Sequence, residues 1–326
     1  MENNKTIRTI AVMTTGGDAP GMNAAIRAVV RTAIYDGLKV VGIERGFAGL
    51  LEEELNGMDS HSVSGIINRG GTILKTVRCP EFKEKKARDM AFQVVKKHGI
   101  DAMVIIGGNG SMRAAAVIIK EWKLPVNVIP ASIDNDVPGT DMTIGYDTAV
   151  NTAVEAIDKI RDTATSHERI FVIEVMGRDN GFIALEVGLT SGAEAILIPE
   201  VKYDIHKICQ DLQAGHKRGK VSSIIVMAEG AGSSNMVAEE IKEHTGLEVR
   251  VSILGHMQRG GTPTADSRKL ACILGVEAVR ALERGDHGKL MGIRGEDIVL
   301  SDITKISRQE RKVDLSVLRV AEVLST

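Results

Sequence analysis

The stretch Ala102-Met-Val-Ile-Ile-Gly-Gly-Asn-Gly-Ser111 decides the fold class. Its first five residues form a continuous apolar run, which is typical of a strand buried on both faces of a parallel sheet. The run ends in a glycine-rich loop, and a helical pattern follows. Such a loop lets the backbone approach a phosphate, and the N-terminus of the helix favours an anion. The stretch therefore predicts one βα unit of a parallel sheet and a candidate phosphate loop.

The same strand, loop and helix pattern recurs in both directions from this stretch. Residues 6–13 precede a glycine loop at 14–21, and residues 170–175 precede another at 176–181. Alternating units of this kind predict an α/β fold of two doubly wound, largely parallel αβα sandwiches. The length of 326 residues suits two domains, and the absence of a low-complexity linker predicts that crossovers join them.

Composition excludes several classes of function. The chain is 43% hydrophobic and 26% charged, with a net charge of -2, which argues against nucleic acid or an anionic membrane as a partner. Its three cysteines lie far apart, so neither a disulfide scaffold nor a paired metal-ligand motif is expected. Residues 1–5 lack the apolar core of a signal peptide, and no apolar run approaches the roughly 18 residues that span a membrane. We expect a cytoplasmic protein.

Two carboxylates mark the end of another strand. The stretch Pro130-Ala-Ser-Ile-Asp-Asn-Asp-Val-Pro-Gly-Thr140 carries Asp134 and Asp136 directly after the apolar run at 126–130. Ligands of open α/β sheets bind at this end of the strands. Asp and Asn also cap their own backbone in turns, so the stretch taken alone favours a plain turn. Together with the two glycine loops, it would line one crevice if the three strands are neighbours.

Cations collect near the glycines of the run at 248–261, which carries Arg250, His256 and Arg259. Arginine suits a bound phosphate because it can grip two oxygens at once. Arg27 and Arg31 are four residues apart and share a helix face, which is more typical of a solvated surface than of an anion site.

Six motifs in colinear order resemble the bacterial 6-phosphofructokinase family, type A, over nearly the whole chain. They are Thr-Gly-Gly-Asp-Ala-Pro-Gly-Met-Asn-Ala-Ala-Ile-Arg (15–27), Asn-Arg-Gly-Gly-Thr (68–72), Gly-Gly-Asn-Gly-Ser (107–111), Ser-Ile-Asp-Asn-Asp (132–136), Glu-Val-Met-Gly-Arg (174–178) and Leu-Gly-His-Met-Gln-Arg-Gly-Gly (254–261). The resemblance implies a glycolytic, allosteric enzyme that uses ATP and Mg²⁺ to phosphorylate the 1-hydroxyl of fructose 6-phosphate. It implies a homotetramer whose active site is shared between subunits. The nucleotide domain would comprise residues 1–145 and 258–308, and the sugar-phosphate domain residues 146–257 and 309–326.

Site residues follow from the same resemblance. Asp134 would be the general base, with Arg178 and Arg78 completing the catalytic set. The ATP side would comprise Gly17, Phe47, Arg78, Cys79, Gly108, Asn109, Gly110 and Ser111, with Asn109 and Asp136 near the metal. The fructose 6-phosphate pocket would comprise Ser132, Asp134, Asp136, Met176, Gly177, Arg178, Glu229, His256 and Arg259, joined by Arg169 and Arg250 of a neighbouring subunit. The effector site would comprise Arg27, Arg31, Arg161, Glu194, Arg218 and Lys220.

Four positions depart from the family pattern. Asn109 replaces an aspartate near Mg²⁺, Ala131 replaces a glycine beside the nucleotide, Lys75 replaces a glycine near Arg78, and Ser60 replaces an effector arginine. Pyrophosphate-dependent relatives typically carry aspartate at position 110 and lysine at position 131, so Gly110 and Ala131 favour ATP. A pyrophosphate-dependent enzyme and a weakly active regulatory paralogue that senses sugar phosphate remain the alternatives, the second because of Asn109.

Overall fold

A computed structural model describes residues 7–325, which fold into two compact units. The first unit comprises residues 7–132, Asp136–Asp147 and Arg259–Arg311. The second comprises Ile133–Asn135, Thr148–Gln258 and residues 312–325. The chain therefore passes several times between the units. Residues 1–5, for which the sequence predicts no signal peptide, lie outside the described residues.

Strands and helices alternate through most of the chain. The strands are β1 (Thr9–Thr15), β2 (Lys39–Ile43), β3 (Leu55–Met58), β4 (Ala102–Gly107), β5 (Val126–Ser132), β6 (Ile144–Gly145), β7 (Ile170–Val175), β8 (Ala195–Leu197), β9 (Ser223–Ala228), β10 (Val249–Ile253), β11 (Lys289–Arg294) and β12 (Asp297–Asp302). The helices are α1 (Met22–Tyr35), α2 (Phe47–Leu51), α3 (Lys85–Lys97), α4 (Asn109–Trp122), α5 (Tyr146–Ser166), α6 (Phe182–Thr190), α7 (Ile205–Lys217), α8 (Ser234–Thr245), α9 (Ala265–Glu283), α10 (Ile303–Ile306) and α11 (Ser316–Leu324).

The first unit is built on an eight-stranded sheet with the order β12-β11-β5-β4-β1-β2-β3, and β6 pairs with β5. Pairing is parallel except that β3 and β12 run antiparallel to β2 and β11. All six residues of β4 are buried, because helices cover both faces of the sheet at its centre. Met103 and Ile105 belong to one apolar cluster, and Val104 and Ile106, fully buried as well, point to the opposite face.

The second unit is built on a four-stranded sheet with the order β10-β7-β9-β8, in which every pairing is parallel. β7 and β9 lie at the centre, and their apolar residues form a core with α7 and α8. Asp204 caps α7, its Oδ1 accepting the backbone N–H groups of His206 and Lys207. The predicted α/β class with parallel-dominated sheets is confirmed in both units.

None of the helices in the described part of the chain is both long enough and apolar enough to cross a bilayer.

Candidate active site

Two glycine loops of the first unit begin at the ends of neighbouring strands, at the same edge of the sheet. β1 and β4 are paired, with Thr15 opposite Gly107, so the loops after them begin side by side. A Cβ atom at Gly107 would lie 2.3 Å from both the Thr15 carbonyl oxygen and Ser111 Oγ, which excludes any larger residue there. Ser111 Oγ donates to the Thr15 carbonyl at 3.0 Å and joins the two loops.

The carboxylate turn reaches the same edge through β5. β5 is the other neighbour of β4, with Pro130 opposite Gly107. A Cβ atom at Gly108 would lie 3.6 Å from Ser132 Cβ, and Asn109 Nδ2 donates to the backbone carbonyl of Asp136 at 3.2 Å. The first unit thus brings Gly108, Asn109, Ser132 and Asp136 together.

The N-terminus of α4 faces this cluster. Its N-cap residue is Gly108, which has no side chain to accept a capping hydrogen bond from the first turn. Asn109, Gly110 and Ser111 are its first three residues, so their N–H groups have no intrahelical acceptor and carry the positive end of the helix dipole. This end of α4 can bind a phosphate.

Arg259 lies beside the loop that follows β1. Its Nη1 donates to the Asp18 carbonyl at 3.2 Å, and a Cβ atom at Gly17 would lie 2.7 Å from the same nitrogen. Gly17 therefore leaves the space that this guanidinium occupies. Within the first unit, Gly17, which is predicted to bind the nucleotide, therefore lies next to Arg259, which is predicted to bind the sugar phosphate.

Three other predicted nucleotide-side residues differ in exposure. Phe47 is buried and stacks on Phe82 with ring centroids 4.0 Å apart, so its side chain belongs to the core. Arg78 is exposed. Cys79 is half-buried, and that burial raises the pKa of its thiol, which stays protonated near neutral pH.

Sequence reasoning did not single out Arg311, a half-buried cation of the first unit. Burial lowers the pKa of this guanidinium, and the nearby charges of Asp141 and Asp136 act in the opposite direction. No motif marks Arg311, since it lies in a charged segment far along the chain from Asp136.

Asp134 belongs to the second unit, where it faces Arg178. The aspartate is 4% exposed, and its Oδ2 lies 3.5 Å from Arg178 Nε. Arg178 has a left-handed backbone with φ of 53°, and its N–H donates to Glu229 Oε1 at 2.7 Å. A buried carboxylate and a guanidinium are held together here by a backbone conformation that is rare outside glycine.

The residues before Arg178 are held by a second side chain. The Met176 N–H donates to Oε1 of the fully buried Gln258 at 2.9 Å, and Gly177 has a φ of 141°. His256 lies exposed in the same 3₁₀ turn as Gln258, Gly255–Arg259. The second unit thus brings together Asp134, Met176, Gly177, Arg178 and Glu229.

Arg169 and Arg250 flank one carboxylate at the edge of the second sheet. Arg169 Nε lies 3.0 Å from Glu248 Oε2, and Arg250 Nη2 pairs with Glu248 Oε1. The adjacent Arg169 guanidinium lowers the pKa of Glu248, so the carboxylate is ionised at neutral pH. These two arginines and one glutamate together carry one net positive charge.

The predicted effector residues fall in both units. Arg27 and Arg31 lie on α1 of the first unit, half-buried and exposed respectively. In the second unit, Arg161 donates to the Ser191 and Gly192 carbonyls after α6, and Lys220 Nζ lies 2.8 Å from Glu194 Oε1. Arg218, directly after α7, is exposed, as is Ser60 of the first unit.

Within residues 7–325, no group of three or more His, Cys, Asp or Glu side chains could hold a metal ion by itself.

The phosphofructokinase family profile matches residues 9–282. The chain is 51% identical over 320 residues to an ATP-dependent 6-phosphofructokinase of Clostridium botulinum, covering 98% of this chain and 100% of the relative. It is 52% identical over 319 residues to the Bacillus licheniformis protein of the same name, with the same coverage of both chains.

Solved structures agree with the sequence match. The chain superposes on the phosphofructokinase of Saccharomyces cerevisiae with a TM-score of 0.88 and 34% identity, covering 97% of this chain and 46% of that one. It therefore spans about half the length of the yeast chain. A pyrophosphate-dependent phosphofructokinase of Marinobacter aquaeolei, at 22% identity, shares the fold with a TM-score of 0.84, covering 97% of this chain and 91% of that one. The chain belongs to the phosphofructokinase family.

Proposed function

We propose that this protein is an ATP-dependent 6-phosphofructokinase, which transfers the γ-phosphoryl group of ATP to the 1-hydroxyl of fructose 6-phosphate. The names of relatives about 50% identical over nearly the whole chain support this activity. The observation that carries the proposal is the pair of Asp134 and Arg178, a buried carboxylate 3.5 Å from an exposed guanidinium. One group can take a proton from a hydroxyl, and the other can bind phosphoryl oxygens.

Asp134 is the general base in this proposal. As the sugar 1-oxygen forms its bond to the γ-phosphorus, the hydroxyl proton moves to the Asp134 carboxylate, and the bond between that phosphorus and the β–γ bridging oxygen breaks. The transition state is loose, so positioning and charge neutralisation dominate catalysis. Arg178 and Arg78 neutralise the charge of the transferring group.

The first unit binds the nucleotide. This assignment is supported by the loops after β1 and β4, which lie beside the uncapped end of α4. Backbone N–H groups there can donate to phosphate oxygens. Gly17, Gly108, Gly110 and Ser111 supply that backbone. Phe47, Arg78 and Cys79 border it.

Asp136 and Asn109 fit a magnesium ion that arrives with the nucleotide. Mg²⁺ takes one or two protein oxygens and completes its shell with water and substrate phosphates, so a cluster of three protein ligands is not required. The Asn109 side chain already contacts the backbone of Asp136, which places both residues at one sheet edge. When bound, the ion would neutralise negative charge on the phosphates.

The second unit binds the sugar phosphate. Met176, Gly177, Arg178, Glu229 and His256 line this site in the proposal. Arg169 is half-buried and Arg250 is exposed, both at a sheet edge. In the proposal they serve the site of a neighbouring subunit in a homotetramer. An effector site between subunits of the homotetramer draws on Arg27, Arg31, Arg161, Glu194, Arg218 and Lys220. The enzyme works in the cytoplasm.

Turnover of the purified protein tests the proposal. Fructose 6-phosphate and Mg·ATP should give stoichiometric fructose 1,6-bisphosphate and ADP, measured through coupling enzymes. Asp134→Ala should lower kcat by about two to four orders of magnitude, the range for loss of a general base, while sugar-phosphate binding persists by calorimetry. Asp211→Ala, an exposed aspartate on α7 of the same unit, is the matched control. Sugar-phosphate binding without turnover in the wild type would indicate a regulatory sensor instead.

A further inference from the structure

Gln258 is a fully buried polar side chain that the proposed reaction does not use. Its Oε1 accepts the Met176 N–H at 2.9 Å. Because a backbone N–H can only donate, oxygen must face Met176 and the NH₂ group must point the other way. Nε2 is buried and has no hydrogen-bond partner among the described residues. A buried donor without a partner costs free energy of folding, so a carboxamide at this position calls for a role that offsets this cost.

The segment that Gln258 contacts has an unfavourable backbone. Gly177 and Arg178 have φ values of 141° and 53°, and the second of these is rare for a residue with a side chain. Conformations of this kind persist only where the surroundings fix them. Glu229 fixes one end through the Arg178 N–H, and Gln258 fixes the other through the Met176 N–H.

We propose that Gln258 is a positioning residue for the sugar-phosphate site. Its carboxamide holds Met176-Gly177-Arg178 in the conformation that keeps Arg178 beside Asp134. Since Gln258 and His256 lie in one 3₁₀ turn, it also sets the spacing between His256 and Arg178. The proposal rests on the proposed function for its substrate, whereas the hydrogen bond itself does not depend on it.

Gln258→Met separates positioning from general stability. Methionine has nearly the same length, but it removes the acceptor of the Met176 N–H. The variant loses one unpaired buried donor, Nε2, and gains another, the Met176 N–H, so its thermal midpoint should change little. The segment around Met176 should nevertheless exchange its amide hydrogens faster. The KM for fructose 6-phosphate should rise about tenfold, the equivalent of one lost hydrogen bond.

Two variants complete the experiment. Gln258→Glu keeps an oxygen that accepts the Met176 N–H, so it should restore most of the wild-type KM. Gln213→Met removes a carboxamide of the same unit that donates to the His244 carbonyl at 3.2 Å. This control should leave both the KM and the exchange of the Met176 segment unchanged.

The readouts distinguish this proposal from the proposed function. Hydrogen exchange without substrate tests the role of Gln258 even if the wild type shows no turnover. Faster exchange together with a raised KM supports the proposal. Wild-type exchange and KM in Gln258→Met would overturn it, and so would a large loss of thermal stability or of folding, which would indicate a structural role.

Discussion

Gly230→Ala is expected to displace the loop that carries Arg178. A Cβ atom at position 230 would lie 2.2 Å from the Arg178 carbonyl oxygen and 3.2 Å from its carbonyl carbon. Both atoms belong to the backbone, so no side-chain rotation relieves the overlap, and the loop must retreat by about 1 Å. Misplacement of a catalytic group by that distance costs about 100-fold in rate. Gly230 is exposed, so the fold should survive.

Initial rates at saturating Mg·ATP over a range of fructose 6-phosphate test this prediction, with thermal unfolding measured in parallel. We expect kcat/KM to fall about 100-fold while the thermal midpoint changes little. Gly215→Ala, also in the second unit, is the control, since its Cβ atom would make only an ordinary contact of 3.6 Å with Lys220 Cδ. If Gly230→Ala keeps a rate within about twofold of the wild type, the backbone of Arg178 does not position the reacting groups.

Three further predictions concern separate parts of the chain. Asn109→Asp should lower the Mg²⁺ concentration needed for half-maximal activity, because a carboxylate binds the ion better than an amide; an unchanged titration would remove Asn109 from the metal site. Gly215→Ala should raise the free energy of unfolding by about 0.5–1 kcal/mol as a helix substitution, and a lowered urea midpoint would contradict this. Arg88, through a side-chain hydrogen bond, lowers the pKa of Glu121 below its ordinary 4.5. The ionised pair therefore stabilises the fold above that pH, and its contribution is lost as the pH falls through the folded pKa. Glu121→Gln should cost about 1 kcal/mol at neutral pH, with a smaller difference in acid; a difference that does not vary with pH would refute the assignment.

Local pattern predicted the central strands well. The apolar run at 102–106 became β4, and its glycine loop leads into α4, because a strand buried on both faces leaves a continuous apolar signature. The pattern does not predict β11 and β12, since the segment after residue 288 is rich in charged residues. They form an antiparallel hairpin at Gly295 on the sheet edge, and β11 pairs with β5 at only two positions. Pairing across so many residues is not encoded in a local pattern.

The candidate site, too, could be predicted only in part from the sequence. Glycine loops and the carboxylate turn could be located from sequence, because their residue types follow strand ends. The left-handed backbone of Arg178 could not, since nothing in its neighbours requires it. Glu229, 51 residues after Arg178, accepts the Arg178 N–H, and Gln258, 82 residues after Met176, accepts the Met176 N–H. Sequence also could not show that Phe47 is a core residue, which depends on its stacking with Phe82.

The central claim is that this protein transfers a phosphoryl group from ATP to fructose 6-phosphate. The most direct measurement is a single assay of fructose 1,6-bisphosphate formation with ATP, GTP and pyrophosphate as donors, at equal Mg²⁺. We expect efficient turnover with ATP and none with pyrophosphate, because the resemblance associates pyrophosphate use with aspartate at position 110 and lysine at position 131, where this chain has Gly110 and Ala131. Turnover with pyrophosphate but not with ATP would contradict it.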